Sequence, residues 1–341
     1  MNNRIAIQGE RASNIELLRI VSMLMILSLH SFRDPVTLSL STLTLRTFVD
    51  FFREALSISA VNIFILISGF YSIKWKPKSI SSLLFQTYFF IFLIYGILLL
   101  TGSITFNLKT FFLRLNGIAV AYWFITAYVG LYILSPVLNA FAEKVTRKQF
   151  LVFLVVFYLV QFYYQLFFNP NYASGYSILS FSGLYLIGRF LNLHPGNQTA
   201  NTATHKQKNI QHIIVFLIIT FLITVLAIAL KINLSDEGGS IKKDHLFGFI
   251  YNNPLVIIQS IVIFLIFKNY NIRSKFINYC ASSVLAIYLV HMHPDIKQLF
   301  YQANHSLNRT FCSNFRCFDS FGQNTNCVVQ LVVPHCSPNR E

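Results

Sequence analysis

Long unbroken runs of apolar residues, separated by short polar segments, dominate this chain. Nine runs stand out, at 15–32, 56–73, 80–100, 117–141, 150–168, 176–193, 210–230, 249–267 and 276–290. Each approaches the length a helix needs to cross about 30 Å of hydrocarbon. The runs are continuous rather than alternating, so they do not read as strands of a closed barrel. A helix is then the remaining way to satisfy every backbone N–H and C=O inside lipid. The pattern predicts an all-α, polytopic transmembrane helix bundle of about nine spanning helices. The first and last runs are short and carry or abut polar groups.

Composition removes the soluble alternative. Apolar residues make up 55% of the chain and charged residues 11%, against roughly a quarter charged in soluble domains. Basic residues then predict orientation, because Lys and Arg are retained on the cytoplasmic side. With the N-terminus inside, the inner segments hold Arg4, Arg11 and Arg19, then Lys74, Lys76 and Lys78, then Lys144, Arg147 and Lys148. Arg189, Lys206 and Lys208 follow, and after them Lys268, Arg273 and Lys275. The outer segments are poorer, and the segment between 168 and 176 has none. The net charge of +15 therefore reads as topology and contact with anionic membrane lipid, and no nucleic-acid partner is expected. The first run lacks a small-residue cleavage site and reads as a retained helix with a cytoplasmic N-terminus.

Within the first run, Arg19 and His30 are separated by ten residues. On a helix that spacing puts both on nearly one face, about 16 Å apart along the axis. Ionisable groups at membrane depth usually face a protein interior or a wet cavity. Taken alone, Arg19 also fits a cation snorkelling to the headgroups, and His30 an interfacial residue at a helix end. Yet histidine is the usual side chain for taking a proton from a hydroxyl near neutral pH, as acyl transfer to an alcohol requires. Glu16, one turn before Arg19, is a candidate partner for it. Asp50, Glu54, His291, His293 and Asp295 all fall on the His30 side, where a supporting group would orient and strengthen the imidazole; sequence does not choose among them. Tyr122 and Trp123 are candidates for stacking on a sugar, with an interfacial aromatic belt as the competing reading. Ser68 and Gly69 read as small residues for close helix packing.

The stretch from Ile15 to His30 resembles the opening helix of the acyltransferase family 3 membrane proteins, with their Arg-then-ten-residues-then-His pattern. Three further segments agree in order: Val61 to Phe70 with its Ser68-Gly69-Phe70 ending, Tyr122-Trp123-Phe124 followed by Ser135-Pro136, and Ile287-Tyr288-Leu289-Val290-His291. The resemblance covers roughly residues 10–300 and delimits a transmembrane domain at 1–300. It implies transfer of an acyl group, most often acetyl from cytoplasmic acetyl-CoA, to a hydroxyl of a surface or exported glycan. Arg19 and His30 carry over as the essential pair. Acyl-CoA is a substrate, so no bound cofactor and no metal are expected. The implied location is a bacterial plasma membrane. Many members have Arg-x-x-Arg after the second helix, where this chain has Lys74, Lys76 and Lys78; these become donor-binding candidates, meeting phosphates as point charges rather than through a guanidinium fork.

The alternative reading is a transporter or flippase of lipid-linked glycans, which would show repeated halves and broken helices; the sequence displays neither. A scaffold without catalysis leaves the Arg19/His30 spacing unexplained. Oligomeric state is not legible. Past residue 300 the membrane pattern stops, and Cys312, Cys317, Cys327 and Cys336 crowd a tail whose spacing fits no zinc site. The expectation for 301–341 is an atypical segment, out of frame with the expected tenth helix, or else a disulfide-bearing extension.

Overall fold

The computed structural model describes residues 12–31, 45–115, 122–167, 175–195, 202–236 and 249–297. The expected tail at 301–341 lies outside the described residues. All regular structure among the described residues is helical. The helices are α1 (Ser13–Ser31), α2 (Leu45–Ser57), α3 (Ala60–Tyr71), α4 (Pro77–Leu100), α5 (Leu108–Leu115) and α6 (Trp123–Lys144). There follow α7 (Arg147–Phe167), α8 (Ile178–Leu193), α9 (Thr202–Asp236), α10 (Pro254–Lys268), α11 (Lys275–Ser282) and α12 (Val284–His291). Ser13–Ser31, Thr47–Tyr71, Pro77–Leu100, Trp123–Lys144 and Gln207–Ile232 are long and apolar enough to cross a membrane. Ile178–Leu193 and Pro254–Lys268 are apolar but shorter.

Local chemistry starts these helices where they start. Pro77 and Pro254 sit in the first turns of α4 and α10, where a missing N–H costs nothing. Ser177, Asn253 and Ser274 each accept a backbone N–H of the following turn, from Ser180, Leu255 and Ile277.

The bundle is built around α3. Ile63, Ile65, Leu66 and Ile67 are all but inaccessible, with α8 against one side and α1 and α10 against others. A Cβ on Gly69 would fall on the carbonyl of Tyr185, and one on Gly188 on the carbonyl of Leu66. These two glycines let the backbones of α3 and α8 approach without intervening side chains. By contrast α4, α7 and α9 turn Phe85, Leu93, Val156, Leu159, Ile218 and Phe221 outward. Apolar surface so extensive is fit for lipid and not for water.

Helix interruptions are repaired by side chains. Pro136 cannot donate to the carbonyl of Tyr132 one turn earlier, and Ser135 Oγ donates to it instead at 2.7 Å. Between α2 and α3 the helical ladder breaks at Ile58 and Ser59, and Gln259 Nε2 donates to the carbonyl of Ala55 at 3.0 Å and to Thr220 Oγ1 at 2.8 Å.

The structure departs from the hydropathy reading in three places. The second span starts at Thr47 rather than near 56, because α2 carries Arg46, Asp50, Arg53 and Glu54 among its apolar residues. Helix α5 is an addition. The last span is broken: Ser282 Oγ donates to the carbonyl of Tyr279 at 2.6 Å, the acceptor that a continuous helix would offer to Ser283. The Ser283 amide turns to Cys280 instead, separating α11 from α12. This corrects the expectation of unbroken helices.

Substitution at two glycines separates close packing from mere helix propensity. Gly69→Ala is expected to lower stability by more than about 2 kcal/mol, read as a lost thermal transition in detergent. Gly96→Ala in α4, where an added Cβ meets nothing, is expected to be neutral or stabilising by up to about 1 kcal/mol. Equal behaviour of the two variants would refute the packing role of Gly69.

Candidate active site

A cavity of about 380 Å³ lies among α1, α3, α6, α11 and α12. Helix α1 contributes Arg19, Met23, Ile26 and His30, whose spacing follows one helical stripe. The stripe makes the cavity long: Arg19 and His30 both line it and stand about 16 Å apart along the helix axis. Its walls are largely apolar, with Val61 and Phe64 from α3 and Leu285 from α12.

At the Arg19 end, Arg19 Nη1 lies 3.1 Å from Glu16 Oε1. Glu16 is buried and Arg19 only half so, which leaves guanidinium donors for a second anion. The midsection carries Ser68 and Tyr128. Ser68 Oγ donates to the Phe64 carbonyl at 2.9 Å, so in the 3.3 Å contact between the two hydroxyls Tyr128 is the donor. Ser68, expected to serve packing, is therefore also part of the cavity wall.

At the other end, His30 Nδ1 is 3.2 Å from His291 Nε2. His291 Nδ1 is 2.7 Å from the backbone carbonyl of Ile287. A carbonyl only accepts, so His291 carries its proton on Nδ1. In the neutral ring Nε2 is then the acceptor, and the hydrogen bond between the histidines requires the proton of His30 on Nδ1. This leaves His30 with its lone pair on Nε2, as a general base requires. Of the supporting groups weighed in the sequence, it is His291 that touches His30.

The others are engaged elsewhere. Arg53 Nη1 donates to the carbonyl of Ser28 at 2.8 Å, and its Nη2 stands 3.8 Å from Glu54 Oε2, which ties α2 to α1 just before His30. Asp50 lies on the same helix, one turn earlier. His293 Nε2 meets the carbonyl of Ile91 at 3.3 Å, and its Nδ1 lies 3.7 Å from Asp295, joining the end of α12 to α4. Tyr122 is fully buried and donates to the carbonyl of Leu289 at 2.8 Å, a structural bond between α6 and α12. Trp123 does line the cavity.

Lys74, Lys76 and Lys78 are exposed and off the cavity wall, on the loop that follows Tyr71, a residue within electrostatic reach of Arg19; that loop is held firmly. Tyr132 Oη accepts from Lys76 N at 2.8 Å and donates within 3.0 Å of the Lys74 carbonyl. Tyr185 Oη accepts from Ile73 N at 2.9 Å, and Asn139 Nδ2 donates to the Ile73 carbonyl at 3.0 Å. Ser72 is thereby kept at φ +62°, a conformation that persists only where its surroundings impose it.

Four cavity tyrosines were not among the site candidates named from the sequence: Tyr128, Tyr176, Tyr251 and Tyr288. Trp123 meets Tyr176 edge-on at 4.5 Å and lies nearly parallel to Tyr251 at 5.9 Å. Gly175, at φ +96°, lets the chain pass against the Cβ of Tyr251. Only Tyr288 carried a signal, its place three residues before His291.

A family model described as an acyltransferase domain matches residues 13–309. The chain belongs to acyltransferase family 3. No curated protein and no solved structure matches it.

The histidine pair makes a checkable claim about one side chain. His291→Ala is expected to lower acyl transfer about 10²-fold at unchanged protein level. His291→Gln, which can still accept from His30 Nδ1, is expected to recover much of it. Equal loss in both variants would remove the tautomer role of His291.

Proposed function

We propose that this acyltransferase is an integral-membrane O-acyltransferase that moves an acyl group, in the first instance acetyl, from acyl-CoA to a hydroxyl of a surface or exported polysaccharide. The bacterial plasma membrane is its location and the N-terminus is cytoplasmic, in keeping with the basic residues gathered at the Arg19 end. The observation that carries the reading is one cavity bounded by Arg19 and His30. Its midsection, apolar but for the hydroxyls of Ser68 and Tyr128, suits the extended arm of a thioester donor, with the anionic part of the donor at the Arg19 end and the acyl group near His30. Lys74, Lys76 and Lys78 sit on a rigid loop at that same end and offer point charges to its phosphates.

The reaction follows from the state of His30. Nε2 takes the proton of the acceptor hydroxyl as its oxygen attacks the thioester carbonyl carbon. The tetrahedral intermediate collapses with cleavage of the C–S bond, and the departing sulfur takes the proton back from the imidazolium. Trp123, Tyr176 and Tyr251 offer flat faces to a sugar ring near His30. Glu16 keeps Arg19 in place without spending all of its donors.

Label from acetyl-CoA is expected in glycan when membranes contain this chain, and His30→Ala at equal level is expected to abolish it. Arg19→Lys should restore little, since an ammonium has no fork. Wild-type labelling by His30→Ala would sink the mechanism. Replacing Lys74, Lys76 and Lys78 together by Gln is expected to raise the apparent KM for acetyl-CoA more than it lowers kcat; an unchanged donor dependence rules these lysines out.

A further inference from the structure

A second recess, of about 530 Å³, opens between the end of α4, the head of α5 and the segment that follows α12. Tyr95, Ser103, Thr105, Asn107, Thr110 and Asp295 give its wall polar groups. It lies at the His30 end of the bundle. His293, two residues past His291, meets the carbonyl of Ile91, and Tyr95 stands about one turn beyond Ile91 on α4. Asp295 follows four residues after His291, at most about 14 Å of chain. The wall is held in shape. Gly102, at φ +69°, turns the chain so that the amides of Ser103 and Ile104 both reach the carbonyl of Leu98, at 3.0 and 3.3 Å. Asn107 caps α5, its Oδ1 accepting from Thr110 N at 3.2 Å. Phe111 packs on Phe92 of α4, with ring centroids 5.7 Å apart.

Around the recess Phe106, Leu108, Phe112 and Leu113 turn apolar surface outward, as suits a helix at the edge of a membrane. The recess itself is polar. The hydroxyls of Thr105 and Thr110 and the amide nitrogen of Asn107 donate to none of the described residues. A sugar hydroxyl both donates and accepts, and this wall is matched to it: the Asn107 amide nitrogen donates, the Asp295 carboxylate accepts, and the hydroxyls do both. That carboxylate disfavours a phosphate, whether of lipid or of CoA. No group of three metal-ligating side chains occurs among the described residues. We propose that this recess is a second subsite for the acceptor glycan, holding one neutral sugar unit of the chain while another presents its hydroxyl to His30. The inference rests on the acyl-transfer reading above and adds where the glycan is gripped. Exchanging water for a sugar hydroxyl at one such group gains little, but several together make affinity grow with the length of the acceptor. Contacts so far from the reacting atoms are equal before and during reaction, so they act on KM rather than on kcat.

The test uses detergent-opened membrane vesicles containing the full chain, labelled acetyl-CoA, and oligosaccharides of graded length cut from the surface glycan of the cells that make this protein. With the wild-type chain, the apparent KM for acceptor is expected to fall about tenfold from a single sugar to the longest oligosaccharide. Thr105→Val, Asn107→Asp and Thr110→Val combined are expected to erase that fall. Valine keeps the shape of threonine, and aspartate still caps α5 while losing the donor. Transfer to the single sugar, kcat and the KM for acetyl-CoA are expected to stay within about twofold of wild type, which also reports a folded variant. Should the triple variant not fold, Asn107→Asp alone is expected to raise the KM for the longest acceptor about threefold. A wild-type KM independent of length, or a length dependence that survives the substitutions, overturns the subsite and leaves acyl transfer standing. Label in vesicle glycan but in no oligosaccharide does the same. Absence of label from both overturns the acyl-transfer reading and this inference with it.

Discussion

Inside an apolar medium a backbone carbonyl that loses its helical donor has no water to turn to, and this single constraint governs much of the bundle. The carbonyl of Tyr132, deprived by Pro136, is taken by Ser135. That of Ala55, freed where α2 gives way to α3, is taken by Gln259 reaching across from α10. The turn after α3 is secured by Tyr132, Tyr185 and Asn139. Each repair binds one helix to another, so local breaks become the long-range bonds that set helix positions.

The same constraint fixes where the protons of the histidine pair sit. His291 Nδ1 serves a carbonyl of its own helix, and that forced choice passes through Nε2 to His30, whose second nitrogen is left with a lone pair. No carboxylate is needed to orient the imidazole. Arg19, His30 and Tyr288 all line one cavity. In a water-poor space their electrostatic effect on a reacting group is larger than it would be in solvent.

Close packing puts this cavity where it is. Because Gly69 and Gly188 bring α3 and α8 together at backbone distance, the opposite face of α3 presents Val61, Phe64 and Ser68 toward α1 and α6. Space remains along the Arg19 and His30 stripe of α1, and the break at Ser283 lets Ala281, Ser282 and Val284 form part of its wall.

The all-α class, the family and the placement of Arg19 and His30 along one face of the first helix were legible in the residues themselves. Hydropathy and helical spacing are properties of a contiguous stretch, and a stripe eleven residues long needs no partner to be read. The start of α2 was misplaced because charged Asp50, Arg53 and Glu54 defeat a hydropathy window while their helix continues. Which side group supports His30 was beyond the chain's linear order, since His291 lies 261 positions away and competed with Glu54 and Asp50 on equal terms. Tyr122 and Trp123 are adjacent and alike in sequence, yet one is locked between helices and the other faces the cavity. Only tertiary packing made that distinction, because facing and hydrogen-bond partnership are set by neighbouring helices and leave no mark on the residue itself.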